Sequence, residues 1–277
     1  MAHVGWPPSV GTIQSGVNAS KLRELLVPVP PMDEQQRIAT LLDKADAIRR
    51  KRQKAIALTE QLLRSTFLEM FGDPVTNPKR WPTVDLGRLL VDGPTNGLYR
   101  PSSDYGSGTP IIRIDSFHDG EIKDLVSLKR VRLPEDVVEK YRLTPGQVLV
   151  NRVNSPEHLG KAALVPQLAE PIVFESNMMR LTLEQNTICP DFLIGQMLTP
   201  HIKQQIAACR KDASNQSSIN QDDVRGFRIR LPPIELQRHY QAAIIAMHAH
   251  REKLRDARDQ ADNLFHSLVQ RAFSGQL

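Results

Sequence analysis

One stretch of the chain occurs twice, and this repeat limits the fold more than any other feature. QSGVNASKLRELLVPVPPMDEQQ (residues 14–36) returns as QSSINQDDVRGFRIRLPPIELQR (residues 216–238), an offset of 202 residues. Gln14, Ser15, Asn18, Arg23, Pro30, Pro31 and Gln35 correspond to Gln216, Ser217, Asn220, Arg225, Pro232, Pro233 and Gln237. No gap is needed, and the alignment runs on to Phe71 opposite Phe273, about 58 positions in all. Self-similarity at a fixed offset marks a repeated structural unit, so the chain reads as unit, insert, unit.

Each unit has the same physical reading. Alternating apolar residues (Leu25, Val27, Val29; Phe227, Ile229, Leu231) predict a short strand, which the proline pair stops. Carboxylates follow where the positive end of a helix dipole favours them: Asp33 and Glu34, then Glu235. From Asp33 to Phe71, and again from Glu235 to Phe273, 39 residues pass without Gly or Pro. At ~1.5 Å rise per residue each helix would be about 58 Å long. Apolar residues recur at 3-4 spacing: Ile38, Leu41, Ala45, Ile48, Ala55 and Leu62 on the first helix. On the second they are Tyr240, Ala243, Met247, Leu254, Ala257, Ala261, Leu264 and Leu268. This is the heptad pattern of a coiled-coil seam, interrupted at Arg52, where the second repeat has Leu254. The shared offset and equal length lead to the expectation of an antiparallel or symmetric pairing of the two helices.

The insert, residues 72–215, is dense in turn signals such as Asp92-Gly93-Pro94 and Pro145-Gly146. Strands are expected at Pro110–Ile114, Gln147–Val150, Ala162–Val165, Ile172–Phe174 and Met179–Leu183, and a helix from Pro190 to Cys209. The expected fold class is α+β, with one mixed, mostly antiparallel domain flanked by the two long helices.

Composition matters here mainly for what it excludes. The longest apolar run is Ala242 to Met247, far below the ~20 residues that span a bilayer. The opening MAHVGWPPSVG has no basic stretch followed by an apolar one, and the two cysteines are too few for a disulfide framework or a four-ligand zinc site. A cytoplasmic location, with no membrane partner, is the expectation. The 36 basic and 31 acidic side chains leave a net charge of +5. The excess lies on the repeats: ten basic against seven acidic in residues 14–71, nine against seven in 216–277, and seventeen of each between.

The strand, then PPMDEQQRI, then a long heptad helix ending in FGDP, resembles the repeated segment of type I restriction–modification specificity subunits. In that family two target-recognition domains alternate with two helical segments that form an antiparallel coiled coil. The resemblance divides the chain into a remnant (1–13), a first conserved segment (14–71), a recognition domain (72–215) and a second conserved segment (216–277). It implies a DNA-binding specificity subunit, itself non-catalytic, that positions modification (methyltransferase) and restriction (translocase and nuclease) subunits. S-adenosylmethionine, ATP and magnesium are then expected on those partners. Only 13 residues precede Gln14, where the family carries a first recognition domain. Two readings stand: a truncated gene product, or a half-size subunit that forms a homodimer and reads a symmetric site.

Candidate DNA contacts are polar residues on loops of the insert. Asn151, Arg152, Asn154, His158 and Lys161 form the densest group; Asn96, Tyr99 and Arg100 form a second; Lys211, Asn215 and Gln216 a third. Arg can fork onto guanine and Asn onto adenine in the major groove, although Asn and Ser at turns also serve local backbone groups. The basic run Arg49-Arg50-Lys51-Arg52-Lys54 either tracks phosphates or is a solvated helix face; Arg251, Lys253, Arg255 and Arg258 lie at the equivalent height. No Walker-type loop, glycine-rich methyl-donor turn or Asn-Pro-Pro-Tyr element is present. The rival readings are a coiled-coil fragment that binds modification subunits without recognising DNA, and a metal-dependent nuclease using Glu157 and His158.

Overall fold

The computed structural model describes residues 29–118, 120–122, 124–213 and 216–276. The first-repeat segments at residues 14–18 and 25–28 therefore lie outside the described residues. Helix α1 (Met32–Phe71) is followed by β1 (Thr83–Asp85), β2 (Leu90–Asn96), β3 (Tyr105–Ile112), β4 (Phe117–His118), β5 (Gly120–Ile122) and β6 (Arg130–Val131). Then come α2 (Glu135–Tyr141), β7 (Val148–Asn151), β8 (Val153–Asn154), β9 (Ala162–Leu164), β10 (Val173–Phe174) and β11 (Met178–Leu183). The order ends with α3 (Pro190–Met197), α4 (Pro200–Cys209), β12 (Lys211–Asp212), β13 (Ser217–Ser218), α5 (Gln221–Arg225), β14 (Arg228–Arg230) and α6 (Ile234–Phe273). This is the expected α+β class with a long helix at each end. No helix among the described residues is long and apolar enough to cross a membrane.

The expected helix from Pro190 to Cys209 is two helices. Pro200 has no N–H to continue the ladder, and Thr199, in extended conformation just before it, turns its hydroxyl back to the Gln196 carbonyl at 2.6 Å. Helix α1 stops where Gly72 takes a left-handed φ of 75° and its N–H closes on the Leu68 carbonyl at 2.8 Å. Asn220 starts α5 through a capping box with Asp223.

The chain divides into two compact units, and the division crosses both long helices rather than falling at the ends of the repeats. In the unit that runs through Lys54 and resumes at Arg255, the helix pair is antiparallel: Arg49 bonds Asp262 at 2.6 Å and Arg52 donates to the Ala257 carbonyl. The Arg49 guanidinium also lies 4.4 Å from the centre of the Phe265 ring. Arg52 is thus a bridge across the seam, and Arg49 is a second one that the apolar spacing did not mark.

The larger unit, Ala55–Leu254, holds the sheets and the inner ends of both helices. Its main sheet has the order β2-β11-β7-β9-β5-β4. Strand β7 shows why both faces are covered: Val148 and Val150 enter one apolar cluster, Leu149 the other. The first cluster is closed by the helix ends, where Phe71 meets Phe192 at 4.8 Å and Tyr240 at 5.2 Å between ring centres. Gly195 is required there, because a Cβ would come within 2.6 Å of the Phe67 ring.

The seam differs from the sequence expectation at three positions. Ile48, Leu62 and Leu264 are 47%, 52% and 57% exposed, whereas Ile56, Thr59 and Arg251 are buried. The 3-4 register shifts by one residue after Ala45, so that Arg49, Arg52 and Ile56 take the inward positions.

Candidate nucleic-acid interface

A polar tripeptide between two apolar strands organises the loops. Glu175, Ser176 and Asn177 link β10 to β11, and their backbone groups serve neighbours on both sides. On one side the Ser176 N–H donates to the Leu98 carbonyl at 2.9 Å, and Gly97 N–H reaches the Met178 carbonyl at 3.0 Å. On the other, the Asn177 carbonyl accepts from the N–H groups of Arg152 (2.8 Å) and Val153 (3.3 Å). Arg152 adds a guanidinium bond to the Ser176 carbonyl at 3.3 Å. Glu175 is buried, accepts the Ile114 N–H at 2.8 Å, and faces Arg113 at 3.6 Å; burial nevertheless pushes its carboxyl above the ordinary range.

A small sheet then ties two distant loops together. Strand β13 pairs with β8, Ser217 opposite Asn154 and Ser218 opposite Val153. Its other edge pairs with β12, which carries Lys211. Residues near 97, 152, 176 and 217 therefore form one connected rim, held by backbone hydrogen bonds. Gly160, with φ of 72°, lets the loop after β8 close onto α4: a Cβ there would fall 2.2 Å from Ile206 Cδ1.

The residues singled out from the sequence occupy this rim in different ways. Tyr99 is 78% exposed, and Asn96, Lys211 and Gln216 are exposed as well. Arg100 stands 3.9 Å from Asp104. The Asn154 carboxamide oxygen accepts the Ser155 N–H at 2.8 Å, a local turn bond, and His158 lies 3.8 Å from Glu157. Lys161 Nζ is 3.1 Å from His118 Nδ1. Asn215 lies outside the described residues. Asn151 is a correction: its side chain is 0% exposed, because β7 is central in the main sheet and the loop folds back over it. The Asn151 N–H and carbonyl are spent on Lys161 and Gly160. Ser176 and Asn177 were not foreseen. The signal was there, a polar ESN between the apolar runs IVF and MMRL, but only the tertiary fold brings it between loops so far apart in sequence.

The comparisons with known proteins agree in one direction. A family model described as the type I restriction modification DNA specificity domain matches residues 6–60. The chain is 34% identical over 164 residues to a protein of Methanocaldococcus jannaschii described as a type I restriction enzyme MjaX specificity subunit, covering 58% of this chain and 38% of that one. It is 21% identical over 291 residues to the EcoKI specificity subunit of Escherichia coli K12, covering 97% of this chain and 62% of the relative. Among solved structures, a chain of a type I R-M system superposes with a TM-score of 0.60 at 22% identity, over 94% of this chain and 64% of that one. The last likeness establishes the fold.

Proposed function

We propose, on the premise that this chain is similar to type I restriction–modification specificity subunits along nearly its whole length, that it supplies sequence-specific DNA recognition to a complex of that kind. The observation that carries this reading is the repeat itself, whose two helices, each 40 residues, pair antiparallel; the described α+β domain separately carries a connected polar rim. In this reading the rim reads base edges and the helix pair offers a docking surface to modification subunits, with restriction subunits added to the same assembly. The chain carries out no bond chemistry. S-adenosylmethionine, ATP and magnesium belong to those partners. The target adenine leaves the stack to be methylated by the modification subunit. A helix of about 60 Å matches one to two turns of duplex at ~34 Å each, so the pair also sets spacing.

The test is direct. The chain is purified alone and with a modification subunit, and each sample is sized and footprinted on duplex DNA. A joint complex with a defined footprint is expected, and deleting the gene should remove one adenine-methylated motif from the host methylome. A stable complex that leaves no footprint on any DNA would instead make the chain a coiled-coil partner without recognition.

A further inference from the structure

Next to the rim lies a concave opening of about 360 Å³ whose lining includes Tyr99, Arg100, Asp136, Lys140 and Tyr141. Its two walls come from different elements: Tyr99 and Arg100 from the segment after β2, the others from α2. Both walls are fixed to one short strand. On the first side, the Leu98 N–H bonds the Phe174 carbonyl at 3.0 Å. The backbone at Gly97 approaches so closely that a Cβ would sit 2.4 Å from that carbonyl and 2.3 Å from the next. On the second side, the Tyr141 ring packs edge-on against Phe174 at 6.3 Å. The strand that holds both walls leads directly into Ser176 and Asn177, so the opening has a set position relative to the rim.

The chemistry is that of an anion flanked by apolar carbon. Two cations face the opening with restrained geometry, Lys140 Nζ 5.5 Å from the Tyr141 ring centre and Arg100 held near Asp104. The two tyrosines supply ring surface and hydroxyl donors. Two carboxylates oppose the cations, Asp136 in the lining and Asp104 beside Arg100.

We propose that this opening clamps a backbone phosphodiester of the DNA that the rim reads, through Arg100 and Lys140, with Tyr99 against the adjoining sugar. The inference rests on the DNA-binding reading above. It assigns positioning, not sequence choice, to these residues: phosphate contacts fix register and carry no base information.

The experiment uses the full chain. A duplex selected from a random pool and an unrelated duplex are titrated over a range of salt concentrations with native protein, Lys140→Ala, Arg100→Ala and Asp136→Asn. Each lost cation should reduce the slope of log K against log salt by about 0.9. Both duplexes should weaken by the same factor, and Asp136→Asn should tighten both. Overturning results are a Lys140→Ala variant with the native slope, or a loss confined to the selected duplex, which would mean a base edge in the opening and Asp136 as its acceptor. If the native chain selects no sequence at all, the recognition reading fails; the slopes on the unrelated duplex still decide the clamp.

Discussion

Glu121, on β5, carries a charge that the fold holds in place. It is gripped by His248 and Arg251 from α6. Burial opposes its ionisation, but the hydrogen bonds from both partners and their charges outweigh burial and hold the carboxyl at about 2, against an ordinary 4.5. A depressed carboxyl stabilises the folded state above its unfolded pKa, and that contribution is lost as pH falls from 4.5 through about 2. The difference corresponds to about 3 kcal/mol. Glu121→Gln should therefore be less stable than the native chain at neutral pH by up to that amount, with the gap closing toward pH 2 in urea unfolding curves. Gln237 offers a second test, because the repeat supplies its own control. Gln35 and Gln237 each donate to the carbonyl of the first proline of their pair, both at 2.8 Å. Only Gln237 is fully buried, and only it also accepts the Cys189 N–H (2.9 Å) and donates to the Thr187 carbonyl (3.2 Å). Gln237→Ala should cost about 1–3 kcal/mol by stranding those groups, and Gln35→Ala less than ~1. The two glutamines are the same in sequence; their surroundings make them different.

At the scale of elements, the long helices were legible because 39 residues without Gly or Pro and a 3-4 apolar spacing leave few alternatives. The inward register was not. Alanine and isoleucine at Ala45 and Ile48 pointed to one stripe, but cross-helix partners for Arg49 and Arg52 turned the helix to another. Two charged side chains hold inward positions because each finds a bond there, one to Asp262 and one to a backbone carbonyl. Ile48→Ser and Leu62→Ser should then change stability by no more than ~0.5 kcal/mol, as exposed positions do. Ile56→Ala should cost about 2–5 kcal/mol. Thermal unfolding of the three variants separates the two registers. Five of the insert's strands (β3, β7, β9, β10 and β11) were legible from their apolar runs; β2 was not, because it runs through Asp92-Gly93-Pro94, which reads as a turn, and the break at Leu198–Thr199 hinged on one proline whose consequence a continuous periodic pattern concealed.

At the scale of the whole molecule, the candidate rim is assembled from segments that the chain keeps far apart. Asn96, Arg152, Asn177 and Ser217 come together through backbone bonds; the Arg152 and Ser217 side chains are spent on the Ser176 carbonyl and on Asp212. Asn177 differs: its carbonyl holds the loop, and its side chain has no hydrogen bond among the described residues. Asn177→Ala should leave stability within ~0.5 kcal/mol, and should cost about 1–3 kcal/mol at one base position when binding is read across a random duplex pool. Uniform weakening across all sequences would assign Asn177 to phosphate. Arg152 behaves otherwise, since its guanidinium supports the Ser176 turn and its loss should disturb the rim as a whole. The sequence by itself determined the repeat, the long helices and the α+β insert, because periodicity and breakers act between residues a few places apart; the antiparallel contacts of the helices are tertiary. It also located the positive excess on the repeats. Only the tertiary structure decided which side chains face inward, that Asn151 is buried beneath its own loop, and that the turn at Ser176 and Asn177 joins the loops. Those outcomes depend on which distant backbone groups and side chains find partners, and no local pattern encodes that.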